Sequence, residues 1–123
     1  MDTAARYLHV LVVDDESLIR WSISETLGAA GHQVTEAQDA ASALKALADA
    51  AAPDLVLLDF RLPDSNDLGL LAKIRQRAPA ATVIMMTAFG SPDVTARALK
   101  LGASRVLNKP FNMQDLEEIV RSL

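Results

Sequence analysis

Short apolar runs alternate along this chain with stretches whose apolar residues recur every three or four positions. Residues 8–13 (Leu-His-Val-Leu-Val-Val) and 55–58 (Leu-Val-Leu-Leu) are nearly continuous apolar runs that stop at acids, Asp14-Asp15 and Asp59. Runs of this kind predict strands buried on both faces, as in a parallel sheet. Residues 33–37 (Gln-Val-Thr-Glu-Ala) alternate and predict an edge strand. Residues 82–86 (Thr-Val-Ile-Met-Met) predict a fourth strand ended by Thr87, and 104–107 a short fifth.

The intervening stretches carry helical stripes. Ile19, Ile23, Leu27 and Ala30 mark one apolar face over 16–30, with Gly31 as the stop. Asp39 caps a second helix with the stripe Ala43, Leu44, Leu47, Ala48 and Ala51, ended by Pro53. A third runs to about Arg77 with Leu68, Leu71 and Ile74 inward, closed by Pro79. Ser91-Pro92 starts a fourth that ends near Gly102, and Asn112 caps the last. Five strand-then-helix units with short loops predict an α/β fold, a doubly wound (βα)5 parallel five-stranded sheet. No glycine-rich dinucleotide turn follows the first run, so the flavodoxin-like strand order 2-1-3-4-5 is expected.

Composition narrows the class. The 123 residues suit one domain with its own core, and half of them are apolar. The absence of cysteine removes disulfides, thiolate metal sites and cysteine catalysis. A net charge of -4 argues against gripping nucleic acid. No apolar stretch is long enough to span a bilayer, and the start lacks a secretory core, so a cytoplasmic protein is expected.

The strand order gives the acids a purpose. It makes the first and third strands neighbours, so Asp14, Asp15 and Asp59 converge at one sheet edge, with Thr87 and Lys109 beside them. An acid after a strand often only caps the next helix, and Asp14 or Asp15 alone reads that way equally well. Asp59 is followed by a proline-containing loop instead. Three adjacent carboxylates repel one another unless a hard cation neutralises them, and an all-oxygen donor set favours Mg2+ over zinc. Phosphoryl transfer needs an in-line nucleophile and fixed positive charge. Asp59 would be the nucleophile, Lys109 one positive charge, and Thr87 a hydroxyl donor, with small Ala88 leaving room. His9 and His32 lack a second ligand at metal spacing and read as structural. Met85 and Met86 read as core, and Trp21 lies off the main stripe of its helix.

The combination Val12-Val13-Asp14-Asp15-Glu16, Leu57-Leu58-Asp59, Met86-Thr87-Ala88 and Asn108-Lys109-Pro110-Phe111 resembles the receiver domain of two-component response regulators over essentially the whole length, 1–123. The resemblance implies that Asp59 is phosphorylated by a histidine kinase or phosphotransfer protein. It implies Mg2+ held by Asp14, Asp15, Asp59 and the backbone carbonyl of Arg61, and a phosphoryl group contacted by Thr87 and Lys109. It further implies a cis Lys109-Pro110 peptide, and tuning of the adduct's lifetime at Arg61 and Phe89. The stretch from Asp59 to Leu68, with Met86 to Gly90, is similar to receivers of the nitrogen-regulator type. These precede an ATPase that activates transcription and a DNA-binding domain. The chain reads equally as the first piece of such a regulator or as a stand-alone receiver.

Two positions depart from the family pattern. Val106 stands where an aromatic switch residue is usual, which leaves a shift of the helix from Ser91 to Leu101 to carry the signal. Asp67 stands where glycine is frequent. The expected output face carries Arg97, Lys100, Arg105, Asp115, Glu117 and Glu118, a mixture that suits a homodimer on activation and a solvated surface equally. Such a domain is not an enzyme beyond catalysing its own phosphorylation and dephosphorylation. Two other classes compete: a flavin-binding flavodoxin-like protein, and an interaction module that is never phosphorylated.

Overall fold

The computed structural model describes residues 7–65, 68–88 and 90–123. The chain runs β1 (His9–Val13), α1 (Ser17–Ala29), β2 (Gln33–Ala37), α2 (Ala40–Asp49), β3 (Leu55–Asp59), α3 (Gly69–Arg77), β4 (Thr82–Thr87), α4 (Pro92–Lys100), β5 (Arg105–Asn108) and α5 (Met113–Arg121). All five strands pair in parallel in the order β2-β1-β3-β4-β5, as the alternation predicts.

Strand periodicity sorts the core into two layers. Val10, Val12, Leu55, Leu57, Ile84 and Met86 pack with Ile23 and Leu27 of α1 and Leu116 and Val120 of α5. Leu11, Val13, Val56, Leu58, Val83 and Met85 face the other way, onto Ala43, Leu71, Ile74 and Ala98 of α2, α3 and α4. Every residue of β3 is buried, because both faces and both edges are covered.

Local chemistry sets the helix ends. The Ser91 hydroxyl accepts from the Val94 N–H at 3.1 Å, and the Asn112 side chain accepts from the Asp115 N–H at 2.7 Å. Gly31 ends α1 at a φ of 100° that only glycine adopts cheaply. The start of α2 is capped twice. Asp39 accepts from the Ser42 N–H at 2.8 Å, and the two carboxylate oxygens of Asp64 accept from Ala40 at 2.8 Å and Ala41 at 3.1 Å. Asp64 belongs to the loop after β3, so one side chain ties that loop to α2. Its carboxyl is held below the usual carboxylate range, chiefly by the Ala40 N–H.

Several boundaries differ from the pattern reading. Asn108 closes β5, one residue later than expected, because β5 pairs with β4 through Thr87. The α1 stripe stops at Leu27, since Ala30 is already in the exposed turn. α2 ends at Asp49, so Ala51 lies outside the helix and Ala48 faces solvent. Ala50 is already extended there, ahead of the Pro53 that was expected to be the stop. His9 is half-buried rather than fully enclosed, with Nε2 3.1 Å from the Thr35 hydroxyl. His32 Nδ1 accepts from the Leu8 N–H, a structural role as expected. Trp21 is 57% exposed. Asp67 and Phe89 lie outside the described residues.

Candidate functional site

Two neighbouring strands end in acids at the same level. β1 pairs with β3 up to Val13 opposite Leu58, so Asp14 and Asp59 emerge side by side. One carboxylate oxygen from each of Asp14, Asp15 and Asp59 lies within 4.8 Å of the others, a spacing one small cation could bridge. Asp14 is fully buried and Asp59 nearly so, while Asp15 is exposed.

Asp14 is held from several sides. Its N–H donates to the Ala37 carbonyl at 3.0 Å, its Oδ1 accepts from the Glu16 N–H at 2.9 Å, and its carbonyl accepts from Arg20 Nη1 at 2.7 Å. Arg20 also reaches Glu36 at 3.0 Å. Neither Asp14 nor Asp15 is the N-cap of α1. That residue is Glu16, and its side chain makes no capping hydrogen bond.

Lys109 arrives from the far side of β4. Its N–H donates to the Thr87 carbonyl at 2.8 Å, and the following Lys109-Pro110 peptide is cis, as expected. Its ammonium lies 2.8 Å from Asp14 Oδ2, 3.1 Å from Glu16 Oε1 and 3.3 Å from Asp59 Oδ2. Only 8% of this side chain is exposed, so it is no solvated surface charge. Thr87 is buried at the end of β4, one residue past the Met86 that pairs with Asp59. Ala88, the next residue, is exposed, and Val106 is half-buried against the α2–α4 layer. The Arg61 N–H donates to Asp59 Oδ1 at 3.3 Å.

Carboxylates crowd this pocket: among the described residues, Asp14, Glu16 and Asp59 share the Lys109 ammonium, with Asp15 close by. The Asp59 carboxyl is pushed up to about 6, first by burial and then by the negative charge of Asp14, against the downward pull of Lys109 and the Arg61 N–H. Burial works against the charge on Lys109, but its hydrogen bond to Asp14 and the surrounding carboxylates outweigh it, and the net shift is upward. An all-oxygen, over-charged pocket beside a fixed ammonium is fitted to a hard divalent cation and to an anion that joins it.

Sequence reading gave Glu16, Arg20 and Asp64 no role of their own: Glu16 entered only as part of the acid run after the first strand and Asp64 only as part of the loop after Asp59. Arg20 and Asp64 act across long sequence separations that no local pattern announces.

The family model for the response regulator receiver domain matches residues 10–121. The chain is 40% identical over 111 residues to the DNA-binding transcriptional regulator NtrC of Escherichia coli strain K12, covering 90% of this chain and 24% of that protein. It is 42% identical over 110 residues to the response regulator protein PilR of Pseudomonas aeruginosa, covering 89% and 24%. The chain thus spans about a quarter of the length of these curated relatives. Among solved structures, a CheY-like response regulator receiver domain protein from Methanospirillum hungatei JF-1 superposes with a TM-score of 0.89 at 30% identity, over 95% of this chain and 93% of that one.

Proposed function

The chain belongs to the response regulator receiver domain family, similar to receivers of NtrC type, and from that premise we propose that residues 1–123 form one receiver domain whose phosphoacceptor is Asp59. The observation that carries this reading is the meeting of Asp14, Asp15 and Asp59 within 4.8 Å, with the Lys109 ammonium 3.3 Å from Asp59.

An ionised Asp59 oxygen attacks phosphorus in line. The bond from phosphorus to the donor breaks, its electron pair stays with the donor, and an acyl phosphate forms on Asp59. When the donor is a phosphohistidine, the leaving imidazole nitrogen takes up that pair. Lys109 balances charge on the phosphoryl oxygens, and the Thr87 hydroxyl donates to one of them. Ala88 leaves the entry open. Asp14, Asp15, Asp59 and the Arg61 carbonyl would hold Mg2+, which would supply further positive charge to offset that of the transferring group. Asp59, with its carboxyl near 6, is mostly ionised at neutral pH and able to attack.

The phosphodonor is a histidine kinase or phosphotransfer protein, and the domain is a signalling element that turns over only its own phosphorylation. With Val106 in place of an aromatic, the signal passes through displacement of α4 towards the face built by α4, β5 and α5. There Arg97, Lys100, Arg105, Asp115, Glu117 and Glu118 would pair in an activated homodimer, and transcriptional output would come from domains beyond this chain. Phe89 would shield the acyl phosphate from water. The domain itself binds neither nucleic acid nor membrane in this reading. Among the described residues, no helix is long and apolar enough to cross a membrane. A cytoplasmic location follows from the proposed role.

Incubation with acetyl phosphate and Mg2+, followed by intact-mass spectrometry, tests the assignment. A single phosphoryl adduct is expected in wild type, absent in Asp59→Asn and absent when Mg2+ is chelated. An adduct of equal yield in Asp59→Asn would refute it. Sedimentation with and without beryllofluoride tests the dimer.

A further inference from the structure

We propose that Glu16 is a positioning residue: it occupies the third N–H of Lys109 in the phosphate-free protein and surrenders it to the phosphoryl oxygen that arrives on Asp59. The inference rests on Asp59 being the phosphoacceptor.

An ammonium group has three N–H donors and no more. In Lys109 three carboxylates surround them: Asp14 at 2.8 Å, Glu16 at 3.1 Å and Asp59 at 3.3 Å. A phosphoryl oxygen that needs Lys109 must therefore displace one of the three. Asp14 is fully buried, and losing the ammonium would strand its charge away from water. Asp59 keeps one oxygen as the acyl carbonyl when the other carries the phosphoryl group, so attachment by itself does not free the N–H it holds. Glu16 is the partner that can leave cheaply. Its side chain is 58% exposed, and water can take over its hydrogen bond. It also lacks a competing structural duty, because it makes no side-chain cap on α1.

Two effects follow from one carboxylate. Glu16 holds Lys109 in reach of Asp59 while the site is empty of phosphate. It also places a negative charge beside the landing position of an anionic group, which slows arrival. Glu16 thereby sets the threshold for phosphorylation without touching the reacting atoms.

The test compares wild type with Glu16→Gln, Glu16→Asp and Lys109→Ala, alone and with Glu16→Gln. With acetyl phosphate at saturating Mg2+ and low ionic strength, Glu16→Gln should raise kcat/KM about threefold, and the gain should shrink in concentrated salt. Glu16→Asp, which keeps the charge on a shorter arm, should fall between. In the Lys109→Ala background the gain should shrink to the part that concentrated salt screens, since only the competition for the N–H acts through that ammonium. The decisive signature is the 15N resonance of Lys109 Nζ. It should differ between wild type and Glu16→Gln without beryllofluoride and coincide once beryllofluoride occupies the site.

An unchanged or lower kcat/KM in Glu16→Gln overturns the proposal, as does a Lys109 resonance identical in the two phosphate-free proteins. A folded wild type that takes no phosphoryl group overturns the phosphoacceptor reading itself, and this inference with it. Unchanged circular dichroism in Glu16→Gln serves as the folding control.

Discussion

The two ends of the sheet use the same strands and the same kinds of residue to opposite effect. At the amino end, polar groups meet partners that satisfy them. Asp54 accepts from the His9 N–H at 2.9 Å through its carboxylate, its own N–H donates to the His9 carbonyl, and its carbonyl accepts from Thr82. His9 and His32 find Thr35 and the Leu8 N–H. At the carboxyl end, acids from two strands are pressed together around the Lys109 ammonium. Acids at one end finish the fold, while at the other they work against it. A buried site that stays under electrostatic load before its ligand arrives is where function departs from local consistency.

The sharpest way to break this contrast is to remove the lysine. Lys109→Ala leaves Asp14 and Asp59 buried without their cation and should cost about 3–5 kcal/mol at neutral pH. Urea unfolding measures it, and the loss should be smaller around pH 5, where Asp59 can take a proton.

Removing an acid should act with opposite sign at the two ends. Asp59 titrates near 6 in the folded protein and lower when unfolded, so the folded state holds this proton more tightly. Stability from this group is therefore greatest at low pH and falls as pH rises towards 6. Asp59→Asn should accordingly be more stable than wild type by about 1–2 kcal/mol at pH 7, a figure reduced for solvent at the pocket mouth, with the advantage vanishing near pH 4. Mg2+ should raise the wild-type Tm and narrow the gap, by mass action on the folded state. At the other end, Asp54→Ala should destabilise by about 1 kcal/mol, with little dependence on Mg2+. Thermal melts across pH and Mg2+ check both. Matching signs for the two substitutions would erase the distinction drawn here.

The same contrast explains what was legible beforehand. The buried strands announced themselves, since Leu55 to Leu58 have no polar residue to turn towards water. Strand order alone places Asp14, Asp59 and Lys109 together, because a parallel sheet delivers strand ends to one edge. Side-chain reach was not legible. Nothing local says that Glu16 bends to a lysine 93 positions away, or that Asp64 closes onto α2 across 24. Weak stripes also misled: alanine fits a core or a surface, so Ala30, Ala48 and Ala51 gave no reliable face.

The clasp between Asp64 and the first turn of α2 makes two amides remote reporters. The loop that leaves Asp59 cannot move with Asp64 in place unless α2 follows or the N–H groups of Ala40 and Ala41 are let go. Deuterium uptake at those two amides would then register events at the phosphoacceptor from another element, with no label near the chemistry.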